Sequence, residues 1–535
     1  MSRSLEEVGR IVGEASPETF IFVSPKDRHP PKYEYVVVRS KELVGGELRE
    51  VDVLAQVVGV ISTSTTYRPE LDYAAIQRIC KAGIEDANVL CKARTLGYMV
   101  GSRALMPRRA VYPGNPVYLA PDDLVEEFFS YPEEEGIHIG YLVSRSKVRV
   151  YLTINGFRRH VAVIAQTGAG KSYTVGVILE ELLKKGATAL VIDPHADYVF
   201  LSRDRDGNRI PEYADRVQVF RNPNSMARYS EGDVDNLRPL TFKFSELDPE
   251  EVAKVAGVSE AYTRILRAFE EAIRDLREGH GGSYGPQDLV KKLEELSRSG
   301  RRCREANYVA ALSYARRLLK VKVFGDRTTP MEEIVKPFCV SVLDLSGLND
   351  ASQDYIVYRV LSEAVELRVT GRFPWPIFVF VEEAHRFVPS NDKTKSSNII
   401  KMIAAEGRKF GVFLTLVTQR PSKVSQDVLS QCNSQIILRI INPSDQRAVQ
   451  EASEQLGVTL MDDLPGLNVG EAIIVGPLTK VPVVVKVRER ATREGGADID
   501  LVEVLRGARE EMRRSRRIAK LWAQAPLDDS MMSEV

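Results

Sequence analysis

The stretch 160-HVAVIAQTGAGKSYTV-175 combines residue types that can bind phosphate. An apolar run leads into a loop of small residues, which precedes a lysine and a serine. A strand that enters a tight turn and then a helix directs several backbone N–H groups at one point. We therefore predict a phosphate-binding loop in which the lysine neutralises the β- and γ-phosphates of ATP and the serine hydroxyl binds Mg²⁺. The residues expected to contact nucleotide are Thr167, Gly168, Ala169, Gly170, Lys171, Ser172 and Tyr173.

One position of this loop departs from the usual pattern, because Ala165 stands where a glycine is expected. Alanine suffices if its φ angle is negative, which the end of a strand permits. The alternative interpretation is an ordinary strand-to-helix turn with a solvated lysine. The pattern with alanine or glycine at the first position arises by chance on the order of 0.03 times in a chain of this length, which favours the phosphate loop.

A second apolar run, 377-IFVFVEEAH-385, ends in two carboxylates. A phosphate-loop ATPase needs an acid near the metal ion and a base for the attacking water. We predict that Glu382 belongs to the Mg²⁺ shell and that Glu383 orients and polarises the water. Aspartate is usual at the first position, so the extra methylene of Glu382 suggests contact with the metal through water. The alternative is a pair of solvated carboxylates at a strand end.

Polar residues also end two other apolar strands. Gln419 follows VFLTLVT, where its neutral amide can contact both the γ-phosphate and the attacking water and report hydrolysis to the loop that follows. A capping glutamine is the alternative. Asp193 and His195 end the strand after the phosphate-loop helix, in 191-VIDPHADY-198. They are expected near the same edge, although a plain turn explains them nearly as well.

The composition sets limits on what the chain can be. Its 535 residues are more than a single hydrophobic core usually accommodates, so the length predicts two to four domains. Lys plus Arg and Asp plus Glu each number 74, so any DNA-binding charge must be gathered locally. An odd count of five cysteines, with no C-x-x-C pair, argues against a disulfide framework and fits the cytoplasm. No signal peptide or apolar run of membrane-spanning length is evident, so no membrane partner is expected.

The pattern of apolar residues predicts four regions. Residues 1–125 contain short β-branched runs interrupted by one helical segment, which indicates a small β-barrel with an inserted helix. Residues 145–490 alternate apolar strands with helices, which is typical of a parallel sheet covered on both faces. Residues 247–323 predict a helical bundle inserted in that core. Residues 491–535 predict a basic helix and a polar tail.

The motif set resembles the HerA branch of the HerA–FtsK superfamily. The matching stretches are AQTGAGKS, VIDPHADY, FVFVEEAH, AAEGRKFG, LVTQRPS and GEAIIVGP. The resemblance covers essentially the whole chain, and the Glu-Glu-Ala-His form of the acidic strand is its most specific part. It implies an α/β RecA-like P-loop ATPase core, an N-terminal barrel of the HAS type, an inserted helical bundle and a C-terminal helical brace. The departures are Ala165 and Asp197, where glutamate is common, and neither removes a group that the chemistry needs.

The same resemblance implies a function. It is that of a homohexameric ring that uses ATP and Mg²⁺ to pump double-stranded DNA, working with a NurA-type nuclease in DNA-end resection for recombinational repair. The archaeal end-resection nuclease/ATPase complex is a further expected partner. Two alternatives stay open: a conjugation- or secretion-type ATPase that moves DNA or protein across a membrane, and a slow nucleotide switch or scaffold.

Positive residues for DNA are expected on the loops after the acidic strand and after the Gln419 strand. They are Lys393, Lys395, Arg420 and Lys423. Contacts from such residues go to phosphates, so binding would be independent of sequence and sensitive to salt. Solvated surface residues are the alternative at each position.

Two further expectations concern a shared nucleotide site. An arginine from a neighbouring subunit is expected to stabilise the transition state, and Arg408 and Arg159 compete for that role. Arg159 starts about 20 Å from the phosphate turn along its strand, too far to reach phosphate easily within its own subunit. A charge at a helix end and a surface ion pair are the respective alternatives. Gly476 and Pro477 are expected to lie against the adenine base, and an ordinary tight turn is the alternative.

Overall fold

The computed structural model of the protein describes residues 5–84, 86–225, 229–259, 261–279, 283–299, 305–391, 394–453, 456–496 and 501–524. The chain up to Glu494 forms one compact unit, and the chain from Gly495 forms a second. None of the helices in the described ranges has the length and apolar character needed to span a membrane.

The first part of the chain is an antiparallel barrel. Its strands are β1 (Glu7–Val12), β2 (Thr19–Ser24), β3 (Tyr35–Val44), β4 (Glu47–Thr63), β5 (Asn88–Val100), β6 (Arg103–Leu105) and β7 (Pro116–Leu119). The pairing of β2 with β5 closes six of these strands into a ring, and β6 pairs antiparallel with the last residues of β5. Closure removes the exposed strand edges, and irregular register between β4 and β5 supplies part of the curvature. The predicted barrel and its inserted helix, α1 (Tyr73–Lys81), are confirmed.

The centre of the molecule is a sheet of twelve strands. These are β8 (Gly136–Leu142), β9 (Arg149–Thr153), β10 (Val161–Ile164), β11 (Thr188–Asp193), β12 (Val217–Arg221), β13 (Leu237–Pro239), β14 (Val340–Asp344), β15 (Ile377–Val381), β16 (Val412–Thr418), β17 (Ser434–Ile437), β18 (Glu471–Val475) and β19 (Val483–Val487). Their spatial order is β13-β12-β14-β11-β15-β16-β10-β17-β18-β19-β8-β9. The strands from β13 to β17 in this order are parallel, and the last four join antiparallel.

The apolar strands are buried on both faces, as the sequence pattern predicts. Along β10, Ala162 and Ile164 belong to one hydrophobic core, while Val161 and Val163 belong to the other. Because successive side chains of a strand point to opposite faces, a strand between two cores must be apolar at every position. The two cores fix the register of each parallel strand and therefore the position of the residue that follows it.

Helices cover the two faces and form the inserted bundle. They are α2 (Asp122–Phe129), α3 (Lys171–Lys184), α4 (Pro211–Ala214), α5 (Pro249–Ala256), α6 (Thr263–Gly279), α7 (Pro286–Ser299), α8 (Glu305–Leu318), α9 (Met331–Ile334), α10 (Asp350–Val369), α11 (Lys395–Phe410), α12 (Gln426–Leu429), α13 (Pro443–Ala452) and α14 (Val458–Met461). The bundle consists of α5 to α8, and its buried apolar residues continue into the core on one face of the sheet. In the second unit, α15 spans Leu501–Gln524.

Two boundaries differ from the sequence-based expectation. β8 begins at Gly136 and already belongs to the central sheet, whereas the sequence predicted that the core starts at 145. An antiparallel strand pair at a sheet edge has the same alternating pattern as a barrel strand, so the sequence cannot tell them apart. At the other end, the compact unit continues to Glu494 because Thr492 is bonded to Glu180 on α3 through its backbone N–H, at 2.8 Å, and through its hydroxyl, at 2.9 Å.

Candidate active site

The order of four strands brings the predicted site residues to one edge of the sheet. β11, β15, β16 and β10 are adjacent and parallel, so their carboxyl ends lie side by side. Ligands of open parallel sheets bind in the crevice outside these ends. The phosphate loop follows β10, the two glutamates follow β15, and Gln419 follows the strand between them.

The phosphate loop has the backbone geometry that its glycines permit. Gly168 has φ of 75° and Gly170, which caps α3, has φ of 100°. Ala165 is 1% exposed and is not among the residues with positive φ, so alanine is accommodated there. The carbonyl of Ala169 accepts a hydrogen bond from the Gly470 N–H at 3.1 Å, which fixes the turn against the segment before β18. The positive end of α3 therefore faces the edge where the carboxylates lie.

Lys171 connects the loop to both glutamates. Its Nζ lies 2.5 Å from Oε2 of Glu382 and 3.0 Å from Oε1 of Glu383. The two glutamate residues are 1% and 4% exposed, so both carboxylates are almost excluded from water. Burial opposes the charge of Lys171, but the two carboxylates outweigh it and raise the pKa of the ammonium above its usual range. The ammonium is therefore charged at any physiological pH.

Glu383 is held in an unusual conformation. Its φ and ψ angles are 50° and 48°, in the left-handed region that residues other than glycine rarely adopt. Its Oε2 lies 3.2 Å from Nδ1 of His385. Burial favours the protonated acid, but the adjacent His385 imidazole and the charge of Lys171 outweigh it and lower the pKa of Glu383 to about 2. The turn thus holds an ionised carboxylate that points to Lys171 on one side and to an imidazole on the other.

Gln419 lies between the phosphate loop and the acidic strand. The hydroxyl of Thr167, within the loop, donates a hydrogen bond to Oε1 of Gln419 at 2.5 Å. Since β16 lies between β10 and β15, Gln419 follows the strand that separates the phosphate loop from the two glutamates. The structure brings Gln419 into contact with the loop through Thr167, and its role in sensing hydrolysis stays a prediction.

The turn after β11 contributes residues that the sequence reasoning did not assign. Asp193 is fully buried and accepts backbone N–H groups of His195, Asp197 and Tyr198 at 3.2, 3.0 and 2.9 Å. Asp197 accepts a hydrogen bond from the Ser172 hydroxyl at 2.7 Å. The Tyr198 hydroxyl donates to Oε1 of Glu382. In the segment VIDPHADY the sequence predicted Asp193 and His195 near this edge, whereas the residues that contact Ser172 and Glu382 are Asp197 and Tyr198.

The donor set at this edge suits Mg²⁺. The available groups are the Ser172 hydroxyl and the carboxylates of Asp197 and Glu382, which are hard oxygen donors. Within the described residues no cluster of three or more acidic, histidine or cysteine side chains could hold a metal by itself. Mg²⁺ is commonly bound by one or two protein oxygens together with water and substrate phosphates, so the residues fit this ion.

The two predicted arginines lie together at the opposite edge of the sheet. Arg159 directly precedes His160 and β10, and Arg408 lies in the last turn of α11, just before β16. Both are exposed and line a recess of about 230 Å³ with Asn155, Arg158 and Pro477. Since β10 runs from this edge to the phosphate loop, neither arginine lies at the loop of its own chain. The sequence predicted a role for Arg159 and not for its neighbour Arg158, which lines the same recess.

His160 forms the buried side of this arginine edge. It is 4% exposed, and its Nδ1 accepts the Leu414 N–H at 2.9 Å, which ties β16 to the start of β10. Burial lowers the pKa of His160 to about 4; a hydrogen bond to Ala404 opposes this shift and the charge of Arg408 adds to it. The imidazole of His160 is therefore neutral at neutral pH and accepts the Leu414 N–H.

Gly476 and Pro477 lie at the same edge of the sheet as the two arginines. They follow β18, which runs antiparallel to β17, so they come to the edge opposite the phosphate loop of the same chain. A Cβ atom at Gly476, whose φ is 97°, would lie 2.2 Å from the Asn433 carbonyl oxygen. The close approach of this backbone explains a glycine at the corner, and contact of Gly476 and Pro477 with an adenine base stays a prediction.

The predicted DNA residues differ in their surroundings. Lys393 lies outside the described residues. Lys395 begins α11 and is only partly exposed, and burial lowers the pKa of its ammonium while nearby Asp354 opposes that shift. Arg420 and Lys423 are exposed. Their loop is bonded to the loop after β15, because the Ser390 N–H donates to the Lys423 carbonyl at 2.9 Å.

Comparisons with known proteins match most of the chain. Residues 137–364 match the family model described as Helicase HerA, central domain, and residues 340–492 match the one described as Helicase HerA-like C-terminal. The chain is 31% identical to the DNA double-strand break repair helicase HerA of Pyrococcus furiosus, covering 93% of this chain and 96% of that protein. It is 30% identical to the helicase of the same name from Saccharolobus solfataricus, covering 78% of this chain and 80% of that protein.

Solved structures with a similar fold are more distant. VirB4 of Thermoanaerobacter pseudethanolicus superposes with a TM-score of 0.47 at 14% identity, covering 68% of this chain and 98% of that one. The plasmid coupling protein TrwB in complex with a non-hydrolysable ATP analogue gives a TM-score of 0.48 at 14% identity, covering 65% and 89%.

The contact of Lys171 with two buried carboxylates makes a prediction about stability. Lys171→Met leaves Glu382 and Glu383 buried together without a cation, so we expect a loss of about 3–5 kcal/mol at pH 8. Without the ammonium one carboxylate has a raised pKa in the folded state, so the loss is smaller at pH 5. In the wild type the lowered pKa of Glu383 contributes stability in full above the unfolded value of about 4.3, so this contribution is constant from pH 5 to pH 8.

Calorimetric unfolding of both proteins without nucleotide at pH 5 and pH 8 measures this difference. Lys184→Met is the matched control on the same helix, because its Nζ pairs with Glu181 while its side chain is 45% exposed. The control is expected to change stability by less than about 0.5 kcal/mol at either pH. A Lys171→Met penalty that does not depend on pH would contradict the role assigned to the ion pair.

Proposed function

Because this chain belongs to the HerA family of ATP-driven helicases, we propose that it hydrolyses ATP to translocate double-stranded DNA in the repair of DNA breaks. The observation that carries this proposal is the group of Lys171, Glu382 and Glu383 at the end of a parallel sheet, beside a loop with phosphate-binding geometry. The relatives named as DNA double-strand break repair helicases support the biological setting.

The residues at the carboxyl ends of the parallel strands have different roles in ATP hydrolysis. Backbone N–H groups of the loop and the N-terminus of α3 bind the phosphates of ATP, and Lys171 supplies a charge for the γ-phosphate. Ser172, with Asp197 and Glu382, would hold Mg²⁺ at the phosphates. When bound, Mg²⁺ neutralises charge that develops on the phosphate oxygens.

Glu383 is the residue that we propose as the base for the attacking water. Its carboxylate shares Lys171 with Glu382 but has no bond to Tyr198. A γ-phosphate attracts the same ammonium, so ATP competes with Glu383 for Lys171. Loss of that contact raises the proton affinity of Glu383, because the lysine charge is one of the causes that lower its pKa. Binding of the substrate thereby makes the carboxylate a better base.

Substitution of the two glutamates separates their roles. Glu383→Gln is expected to bind MgATP normally and to lower turnover by about 10²–10⁴-fold, because the amide cannot accept the proton. Glu382→Gln is expected to weaken the Mg²⁺ dependence of binding, and Lys171→Ala to weaken binding and turnover together. Nucleotide titration and steady-state ATPase assays measure both quantities. Turnover near the wild-type rate in Glu383→Gln would rule out this assignment and make Glu382 the next candidate.

We propose that the active form is a homohexameric ring with nucleotide between neighbouring subunits. The exposed recess formed by Arg158, Arg159 and Arg408 supports this, since it lies at the edge opposite the phosphate loop of its own chain. A guanidinium from a neighbour would stabilise charge spread over the γ-phosphoryl oxygens. We also propose cooperation with a NurA-type nuclease in end resection, alongside the archaeal end-resection nuclease/ATPase complex, and membership of the family supports this.

Mixing of inactive subunits tests whether the arginines act across an interface. A Lys171→Ala chain mixed with an Arg159→Ala or an Arg408→Ala chain should regain part of its ATPase activity, because some interfaces then combine an intact loop with an intact arginine. Lys171→Ala mixed with Glu383→Gln is the control that should regain none, since both residues belong to the same side of the site. If neither arginine variant restores activity in mixtures, the shared-site model fails for both.

DNA contact is proposed for the loop that follows β16. Arg420 and Lys423 are exposed and lie beside the loop after β15, so both loops project from the edge where ATP is hydrolysed. Contacts to phosphate would serve any DNA sequence, which suits a translocase. Lys395 is the weaker candidate, because its partial burial restricts the reach of its side chain.

The double variant Arg420→Ala/Lys423→Ala tests this surface. We expect a lower DNA-stimulated ATPase rate and a fall of about 2 in the slope of log affinity against log salt concentration, because two phosphate contacts are lost. ATPase activity without DNA should persist. Lys184→Ala/Lys185→Ala, which removes the same charge at the far end of α3, is the control and should keep the wild-type slope. An unchanged slope in Arg420→Ala/Lys423→Ala would exclude the pair.

A further inference from the structure

The turn after β11 connects to the proposed metal side of the site through one buried hydroxyl. We propose that Tyr198 is a positioning residue that fixes the Glu382 carboxylate for Mg²⁺ binding. This inference rests on the proposed function, in which Glu382 belongs to the Mg²⁺ shell. Neither the motif pattern nor the family comparisons assign a role to this tyrosine.

Glu382 is restrained at both of its carboxylate oxygens. The Tyr198 hydroxyl donates a hydrogen bond to Oε1, and Nζ of Lys171 lies 2.5 Å from Oε2. Lys171 is shared with Glu383 and is the group that a phosphate attracts. The tyrosine contact involves no phosphate-binding group, so it can persist when the lysine moves. Tyr198 is therefore the partner that can hold Glu382 in one orientation throughout the reaction.

Tyr198 is itself rigidly placed. Its side chain is fully buried, and its backbone N–H donates to Oδ2 of the buried Asp193 at 2.9 Å. The guanidinium of Arg490, which is 1% exposed, lies 5.9 Å from the centre of the tyrosine ring. A phenolic hydroxyl carries its proton at neutral pH, so the Tyr198 hydroxyl acts as a donor to the carboxylate.

The residue before Tyr198 strengthens the case. Asp197 accepts a hydrogen bond from the Ser172 hydroxyl at 2.7 Å. Two consecutive residues of one turn thus contact two of the groups proposed for Mg²⁺, Ser172 at the start of α3 and Glu382 directly after β15. Asp193 bonds to the backbone N–H groups of both residues, so its carboxylate sets the geometry of the pair. The turn therefore connects Ser172 with Glu382 and fixes their relative positions.

The competing explanation is that Tyr198 only fills the core on its face of the sheet. Tyr198→Phe separates the two, because it keeps the buried ring and removes the hydroxyl. Tyr355→Phe is the matched control. Tyr355 is also fully buried, in the core on the other face, and its hydroxyl has no hydrogen-bond partner among the described residues.

The experiment titrates Mg²⁺ against binding of a fluorescent ATP analogue in the full-length protein. For Tyr198→Phe we expect the Mg²⁺ concentration at half-maximal binding to rise about tenfold or more, the effect of losing one hydrogen bond to a charged group. Binding of the analogue without Mg²⁺ should be unchanged. Tyr355→Phe should match the wild type in both measurements.

A double variant shows whether the effect passes through Glu382. In a Glu382→Gln background, Tyr198→Phe should add no further change to the Mg²⁺ dependence. A full additional shift in that background, or an unchanged Mg²⁺ dependence in Tyr198→Phe alone, would overturn the proposal. If Tyr198→Phe does not fold, Glu382→Asp replaces it: the shorter side chain cannot keep both contacts, so it should show the same shift, and wild-type Mg²⁺ dependence would overturn the proposal.

These outcomes are distinct from a failure of the proposed function. A wild-type protein that binds the analogue with no dependence on Mg²⁺ would remove the metal role of Glu382 itself. In that case the contact between Tyr198 and Glu382 would remain as a structural hydrogen bond, seen as a lower melting temperature of Tyr198→Phe without nucleotide.

Discussion

Two carboxylates that are almost excluded from water share one buried cation here, because Lys171 lies within hydrogen-bond distance of each. Lys171 begins α3, while Glu382 and Glu383 end β15, so the contact joins two segments more than two hundred residues apart in sequence. It forms because β16 lies between β10 and β15, which sets the phosphate loop and the acidic turn one strand apart. The register of these parallel strands is in turn fixed by two cores, one on each face.

Residues next to this contact restrict the conformations of the two glutamates. Glu383 adopts left-handed backbone angles, a conformation that costs energy for a residue with a side chain. Asp193 folds the turn after β11 around a buried carboxylate, and Tyr198 leads from that turn to Glu382. The two glutamates are adjacent in sequence yet have different partners, a tyrosine for one and a histidine for the other. That difference in surroundings is the physical basis for giving them different roles.

The same two strands link the two edges of the sheet. β10 and β16 end at the phosphate loop and at Gln419, while Arg159 and Arg408 lie close to the points where these strands begin. His160 joins the starts of both strands through the Leu414 N–H, so the arginine edge and the phosphate edge belong to one rigid element. In the proposed ring, one subunit would present its phosphate edge to the arginine edge of the next. A shift between subunits would then change both halves of a composite site together.

The sequence by itself determined the features that depend on neighbouring residues. The phosphate loop, its tolerance of Ala165, the barrel with its inserted helix and the buried parallel strands are local patterns, because turn geometry and burial leave their mark on consecutive residues. The order of the strands in the sheet cannot be read from such local patterns. Only the tertiary structure shows that Gly476 and Pro477 lie at the edge opposite the phosphate loop and that the side chain of Lys395 is partly buried. It also shows that Asp197 contacts Ser172 and that Tyr198 contacts Glu382. Each of these depends on which strands are adjacent and in which direction they run, and that is decided by packing of the whole sheet between its two cores.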